Sequence, residues 1–139
     1  MKPFESLSVL MAAFALPLIA TAADLQVTVS GGPAMPATLY VALFGSAETM
    51  AAGKPLAAQV LPMRDGGAQL VFIGLPPGRY AVKSFADENG NGKLDTNLVG
   101  LPTERYGFSN DATGRMGPPD FDAAAVPLDA DRSIAIHLR

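Results

Sequence analysis

The sequence predicts an all-β protein, a single antiparallel β-sandwich of about seven short strands that carries one long ordered loop. Apolar residues recur at every second position in several short segments. Turns rich in glycine, proline and aspartate separate these segments, and no helix-length apolar period follows residue 23. Residues 87–122 form the long stretch without alternation, and their apolar side chains predict an ordered loop.

Residues 1–22 have the features of a secretory signal peptide. Met1-Lys2 is a short basic start, residues 7–20 are almost entirely apolar, and Ala20-Thr21-Ala22 is a small-residue cleavage site. The apolar run is shorter than the ~20 residues of a membrane span; a retained N-terminal anchor is the alternative. We therefore expect export to the periplasm or out of the cell, and a mature domain of residues 23–139.

The composition excludes several kinds of chemistry and partner. The chain contains no cysteine, which excludes disulfides, thiolate metal sites and a cysteine nucleophile. Its net charge is −3 and its basic residues form no cluster, which argues against nucleic acid as a partner and, after signal cleavage, against a membrane. A domain of this size buries its own core, and we expect a monomer.

Five strands are expected before the long loop. They are residues 24–30, 38–44, 57–63, 68–73 and 79–85. The second is apolar on both faces, which predicts a central position, whereas Pro62 lacks a hydrogen-bond donor and predicts an edge position for the third. Asp65-Gly66-Gly67 predicts a hairpin turn between the third and fourth strands. Residues 47–52 are expected to form one helical turn.

Two strands are expected after the loop, at residues 123–128 and 133–138. Ile134, Ile136 and Leu138 alternate and are expected to face the core. His137, the only histidine, then lies on the opposite face. We expect a solvated side chain there, because nothing near it in sequence indicates a Ser–His–Asp arrangement.

Oxygen-bearing side chains recur at every second position where the long loop begins, as they do in calcium-binding loops. In such a loop the side-chain ligands stand at positions 1, 3, 5 and 9, which here are Asp87, Asn89, Asn91 and Asp95. Position 7, which binds through its backbone carbonyl, is Lys93. Gly92 occupies position 6, where a sharp turn is needed, whereas position 12 is Leu98 and not a bidentate glutamate. We therefore predict a weak calcium site, with a dissociation constant on the order of 10⁻⁴ to 10⁻³ M.

The same stretch has a simpler interpretation as a plain polar turn. Asn89-Gly90 and Asn91-Gly92 are common dipeptides of tight turns. A two-residue turn does not explain why Asp87 and Asp95 stand at positions 1 and 9. Ligands that are all oxygens disfavour zinc and copper. Calcium is the prediction, and a plain turn or another metal is the alternative.

Glu104, Tyr106, Phe108 and Asn110 are further candidates for ligand binding. Tyr106 and Phe108 form either an aromatic platform for a sugar or a peptide, or a plug that closes one end of the sandwich. We favour the plug, because so long a loop needs a small core of its own. Glu104, together with Glu88, is a candidate additional metal ligand or one half of a catalytic carboxylate pair.

Two runs of residues resemble known families. Gly74-Leu-Pro-Pro-Gly-Arg-Tyr-Ala-Val82 is similar to the Leu-Pro-x-Gly-x-Tyr-x-Val step of prealbumin-like sandwiches, where a turn precedes a strand whose tyrosine packs at the sandwich corner. The wider run from Tyr80 to Phe121, and above all Tyr106-Gly-Phe-Ser-Asn110, resembles an exported bacterial family catalogued as domain of unknown function 2141. The resemblance implies a secreted prealbumin-like or immunoglobulin-like β-sandwich and carries no established activity.

These observations predict an exported module of the cell envelope that is not an enzyme and that has a structural role or binds an envelope protein or glycan. One alternative is a carbohydrate- or peptide-binding module that uses residues 87–122 as its binding face. Another is a small exported hydrolase that uses Asp87, Asp95 or Glu104. Changing each carboxylate to its amide distinguishes a binding module from a hydrolase. A binding module should keep its affinity for its ligand, apart from any loss of metal, whereas a hydrolase should lose turnover.

Overall fold

The computed structural model describes residues 11–16 and 21–139 of the chain. Most of the predicted signal peptide, residues 1–22, lies outside these described residues. Within them, no helix is both long enough and apolar enough to cross a membrane.

In the described part of the chain, eight strands form two sheets around a shared core. The strands are β1 (Ala23–Ser30), β2 (Ala37–Phe44), β3 (Ala57–Met63), β4 (Ala68–Leu75), β5 (Gly78–Asp87), β6 (Tyr106–Phe108), β7 (Val126–Leu128) and β8 (Arg132–His137). One sheet has the order β4-β1-β8 and the other β3-β2-β5-β6, with β7 also paired to β5. The helical segments are α1 (Ala47–Ala51), a 3-10 turn (Ser109–Asp111) and α2 (Phe121–Ala124). The predicted all-β sandwich is confirmed, with eight strands instead of seven.

The core between the sheets comes from alternate residues of their strands. Buried side chains of β1 and β2, one central strand from each sheet, include Leu25, Val27, Val29, Leu39, Val41 and Leu43. Burial of each such side chain contributes roughly 1.5–3 kcal/mol. Ile136 and Leu138 are buried and Ile134 packs against the core, as predicted. The central position of β2 and the edge position of β3 are also confirmed.

The turn between β3 and β4 forms as predicted, but it does not close a hairpin. Arg64 and Gly67 exchange two backbone hydrogen bonds of 3.0 Å, and the two residues between them, Asp65 and Gly66, have φ of 52° and 73°. These are the positive values of a type I′ turn. β3 then pairs with β2, and β4 pairs with β1. The predicted pairing of the third and fourth strands is therefore wrong: alternation identifies a strand but not its neighbour.

Three further details differ from the prediction. β6 lies inside the 87–122 loop and pairs with β5 over only three residues, too few to produce a periodic pattern. Residues 121–124 form α2, so the strand expected from 123 begins at Val126. β1 and β8 pair in parallel, a departure from an entirely antiparallel sandwich.

Tyr106 and Arg139 exchange backbone hydrogen bonds of 3.1 and 2.9 Å, which connect the two sheets along one side.

Tyr80 closes the corner between β4 and β5. Its side chain is buried, and its hydroxyl donates a hydrogen bond to the carbonyl oxygen of Pro76, four residues upstream. This is the geometry of a tyrosine corner in sandwich folds. Burial raises the pKa of the Tyr80 hydroxyl, because the phenolate would lose its hydration.

Candidate functional site

Asp87 is the last residue of β5, and the long loop folds back over its carboxylate. The residue is only 3% exposed. One carboxylate oxygen accepts the Gly90 N–H at 3.0 Å and the other accepts the Gly92 N–H at 2.8 Å. Both glycines have positive φ, 74° and 71°, a conformation that residues with a Cβ rarely adopt. Position 1 of the predicted metal pattern is therefore an anchor for the backbone of the loop.

The next side chains of the pattern gather on Asp95. Nδ2 of Asn89 and Nδ2 of Asn91 both donate to the Asp95 carboxylate, the second at 2.6 Å. The Oδ1 atoms of the two asparagines accept the N–H groups of Asn91 and Lys93 at 3.2 and 3.0 Å, which makes two Asx turns. Hydrogen bonds from Asn91 and then Asn89 lower the pKa of Asp95, because they stabilise the ionised carboxylate.

Glu104 connects the two ends of this part of the loop. It is 7% exposed; Oε2 accepts the Glu88 N–H at 2.8 Å and Oε1 accepts the Asp95 N–H at 3.1 Å. Thr103 adds a backbone hydrogen bond to the Asp95 carbonyl at 2.8 Å. No pattern near Glu104 in the sequence indicates this role, because its partners lie 16 and 9 residues away.

The donor chemistry of residues 87–95 fits a cation of the calcium type. Carboxylate and amide oxygens are hard ligands that calcium prefers, and each carboxylate oxygen accepts more than one interaction. Asn89, Asn91 and Asp95 already converge, and a half-turn of each amide group would present Oδ1 in place of Nδ2. The same half-turn would release the N–H groups of Asn91 and Lys93 from their Asx turns. No group of three or more His, Cys, Asp or Glu side chains in the described residues is arranged to hold a metal. Because Asp87 is engaged with the loop backbone, Asp95 is the one carboxylate of the pattern left for an ion, and a site here would be weak.

The aromatic pair of the loop belongs to a small core of its own, separate from the core between the sheets. Phe108 is 2% exposed and forms a second hydrophobic cluster with Ala81 and Ala124. Tyr106 packs edge-on against Phe108, with ring centroids 6.2 Å apart. Phe108 therefore has no face open to a sugar ring, which supports the plug over the platform.

Ser109 and Asn110 fasten the end of the loop to the sandwich. The buried Ser109 Oγ accepts the Val82 N–H at 2.9 Å and donates to the Ala124 carbonyl at 2.5 Å. Asn110 has a φ of 60°, and its Nδ2 donates to two carbonyl oxygens of residues 123–125 at 3.2 and 3.0 Å. The side chains of this run are engaged in holding β5, β6 and α2 together.

The chain matches the family model described as "Uncharacterized protein conserved in bacteria (DUF2141)" over residues 27–136. The chain belongs to this family. The match begins in β1 and ends in β8, so it includes both sheets, the loop and the Tyr106–Asn110 run. The resemblance predicted from that run is confirmed. No curated protein and no solved structure matches the chain.

Two further residues place the loop of this DUF2141 protein against β8. A Cβ on Gly107 would lie 2.8 Å from Cγ2 of Ile136 and 3.0 Å from the His137 carbonyl oxygen, so the close approach requires glycine. Asp111 accepts the backbone N–H of His137 at 2.9 Å and pairs with its ring Nδ1 at 2.8 Å. The backbone hydrogen bond is the main cause of a lowered Asp111 pKa. No hydroxyl side chain in the described residues hydrogen-bonds to His137, which is exposed.

Proposed function

We propose that this DUF2141 protein is an exported, non-enzymatic module of the bacterial cell envelope, and that a weakly bound calcium ion orders its loop at residues 87–104. The signal-peptide features of residues 1–22 support export. The observation that carries the calcium proposal is the register of the loop. Asp87 accepts the N–H groups of positions 4 and 6, while the side chains of positions 3 and 5 converge on Asp95.

In this proposal each residue of the loop has a separate task. Asn89, Asn91 and Asp95 supply side-chain oxygens to the ion, and Lys93 supplies its backbone carbonyl. Asp87 and Glu104 keep the loop closed through backbone N–H groups. Calcium, when bound, supplies positive charge beside a loop rich in carboxylates, which favours their ionised forms.

A non-enzymatic role is supported by how the candidate catalytic groups are used. Asp87 and Glu104 are buried, and both oxygens of each accept backbone N–H groups. The Asp95 carboxylate accepts two side-chain amides. A glycoside hydrolase needs one carboxyl group that protonates a leaving group and a second that activates water or attacks the sugar. The carboxylates of Asp87, Asp95 and Glu104 have structural partners instead.

Calcium is expected to raise the unfolding temperature of the purified protein. A ligand that binds only the native state at ten times its dissociation constant stabilises that state by about 1.4 kcal/mol, a rise of about 3–7 °C for a domain of this size. Thermal unfolding followed by circular dichroism, first with chelator and then with millimolar calcium, measures the shift. Magnesium at the same concentration tests whether the loop prefers the larger ion.

Two loop variants make this experiment specific. Asp95→Asn removes the half-buried carboxylate ligand and should abolish the shift. Glu88→Gln removes an exposed carboxylate that is out of register and should keep it. If neither ion stabilises the wild-type protein, or if Asp95→Asn responds as the wild type does, residues 87–95 form a plain turn and the calcium proposal fails.

Export is tested by fractionation of cells that produce the full chain. We expect the protein in the periplasm or the medium, with a mature N-terminus near residue 23, because signal peptidases cut after a small-x-small motif. Replacing Ala20 and Ala22 with bulky residues should leave the precursor uncut. Wild-type protein that stays in the cytoplasm with residues 1–22 attached would contradict export.

A further inference from the structure

A cavity of about 560 Å³ lies on the outer face of the five-stranded sheet, away from the sandwich core. Its lining includes Phe44 of β2, Lys83 of β5 and Phe108 of β6. Met50 of α1 and the segment 118–122 complete it. Its volume is within the ~300–1,000 Å³ of small-molecule sites, which are commonly lined by apolar and aromatic side chains.

Lys83 is held in the middle of this sheet. On its two sides it pairs with Ala42 of β2 and Phe108 of β6. Its neighbours Val82 and Ser84 are fully buried, and the alternation of a strand directs Lys83 to the opposite, outer face. A cation on a strand that is paired on both sides is fixed in position more firmly than one on a loop.

The charge of Lys83 has no counter-ion within the described part of the chain. No carboxylate there lies within ion-pairing distance of its ammonium group. The acidic residues of the lining are Asp120 and Asp122, and Asp122 pairs with Arg79 at 3.0 Å. The cavity thus combines a half-buried cation, which forms no direct ion pair within the described residues, with mainly apolar walls, which also carry the exposed carboxylates of Asp120 and Asp122.

We propose that this cavity binds a small amphiphilic anion. The carboxylate of the ligand pairs with Lys83, and its apolar body lies against the half-buried Met50 and Phe121. Charge complementarity selects the anionic group, because a partly desolvated ammonium gains most from an ionised partner. A glycan fits this lining poorly, since most of the described residues that line the cavity are apolar. The site does not involve the proposed calcium ligands, so the two proposals stand or fall separately.

The test is a titration of ¹⁵N-labelled protein in the presence of chelator, followed by amide chemical shifts. The probes are octanoate and 3-phenylpropionate, each compared with the neutral alcohol of the same skeleton. We expect the better acid to bind with a dissociation constant of about 0.1–1 mM, and its alcohol about 10- to 100-fold more weakly. Shifts should concentrate at Met50, Lys83, Phe108 and Phe121. The acid that binds more tightly shows whether the site suits an aliphatic or an aromatic body.

Three variants separate this site from general attraction. Lys83→Met keeps most of the apolar stem and should weaken acid binding about 10- to 100-fold. Lys54→Met removes an exposed cation outside the lining and should change it less than about twofold. Ala51→Phe, at an exposed lining position, should block the cavity without opening a hole in the core. Equal binding of acid and alcohol, absent binding of both acids, or unchanged affinity in Lys83→Met would overturn the proposal.

Discussion

Replacing Glu104 with alanine is expected to lower the free energy of unfolding by about 2–4 kcal/mol. The buried carboxylate accepts two backbone N–H groups, from Glu88 and Asp95, and hydrogen bonds to charged acceptors are the strong ones. Denaturant unfolding measures the global effect. Amide hydrogen exchange at residues 88 and 95 measures the local one, and both amides should exchange faster in the variant.

Two matched variants define what Glu104 contributes. Glu104→Gln keeps one acceptor oxygen and should lose about half as much stability. Glu88→Ala removes a carboxylate from the same loop, but an exposed one, and should stay within about 0.5 kcal/mol of the wild type. If Glu104→Ala were as stable as Glu88→Ala, the hydrogen bonds of Glu104 would not be what closes the loop.

Replacing Ser109 with alanine is expected to lower the free energy of unfolding by about 2–3 kcal/mol. The change leaves the Val82 N–H and the Ala124 carbonyl without their hydroxyl partner in a fully buried place. No buried side-chain nitrogen or oxygen of the described residues lacks a hydrogen-bond partner. The loss should appear as a lower midpoint in denaturant with an unchanged slope.

The control for Ser109 is Ser133→Ala, which removes a hydroxyl from an exposed position of β8 and should have little effect. Ser109→Cys keeps most of the shape but hydrogen-bonds weakly, and should fall between wild type and Ser109→Ala. A Ser109→Ala protein with the stability of Ser133→Ala would mean that water replaces the hydroxyl, and that the end of the loop is more open than the structure shows.

The parts of the fold that could be predicted are those with a local pattern. Alternation in β1, β2 and β5, the proline in β3 and the Asp65-Gly66 turn each produce a signal within a few residues. The pairing of β4 with β1, and not with β3, has no such signal, because the same turn serves a hairpin or a passage between sheets. β6 cannot be predicted from alternation, because it has only three residues and pairs with β5 through backbone groups that every residue type except proline provides.

The same distinction applies to the candidate site. The spacing of Asp87, Asn89, Asn91 and Asp95 is visible in the sequence. The side chains of Asn89, Asn91 and Asp95 converge in the structure, whereas Asp87 binds backbone N–H groups of the loop. The roles of Glu104 and Ser109 depend on backbone groups distant in sequence, so residue type alone suggests only a possible ligand or a polar loop residue. The cavity around Lys83 requires α1, β5 and residues 118–122 to meet, which no local pattern reports.

The parallel pairing of β1 with β8 has a mechanical consequence. The pair extends from Leu25 beside Arg132 to Ser30 beside His137, so the start of β1 and the end of β8 lie at opposite ends of it. A force that stretched the domain through these two points would act along the strands, in shear. The hydrogen bonds between the strands would then carry the load together, whereas a hairpin pulled from its open end gives way one bond at a time. β1 and β8 are thus paired in the orientation that best withstands such a force.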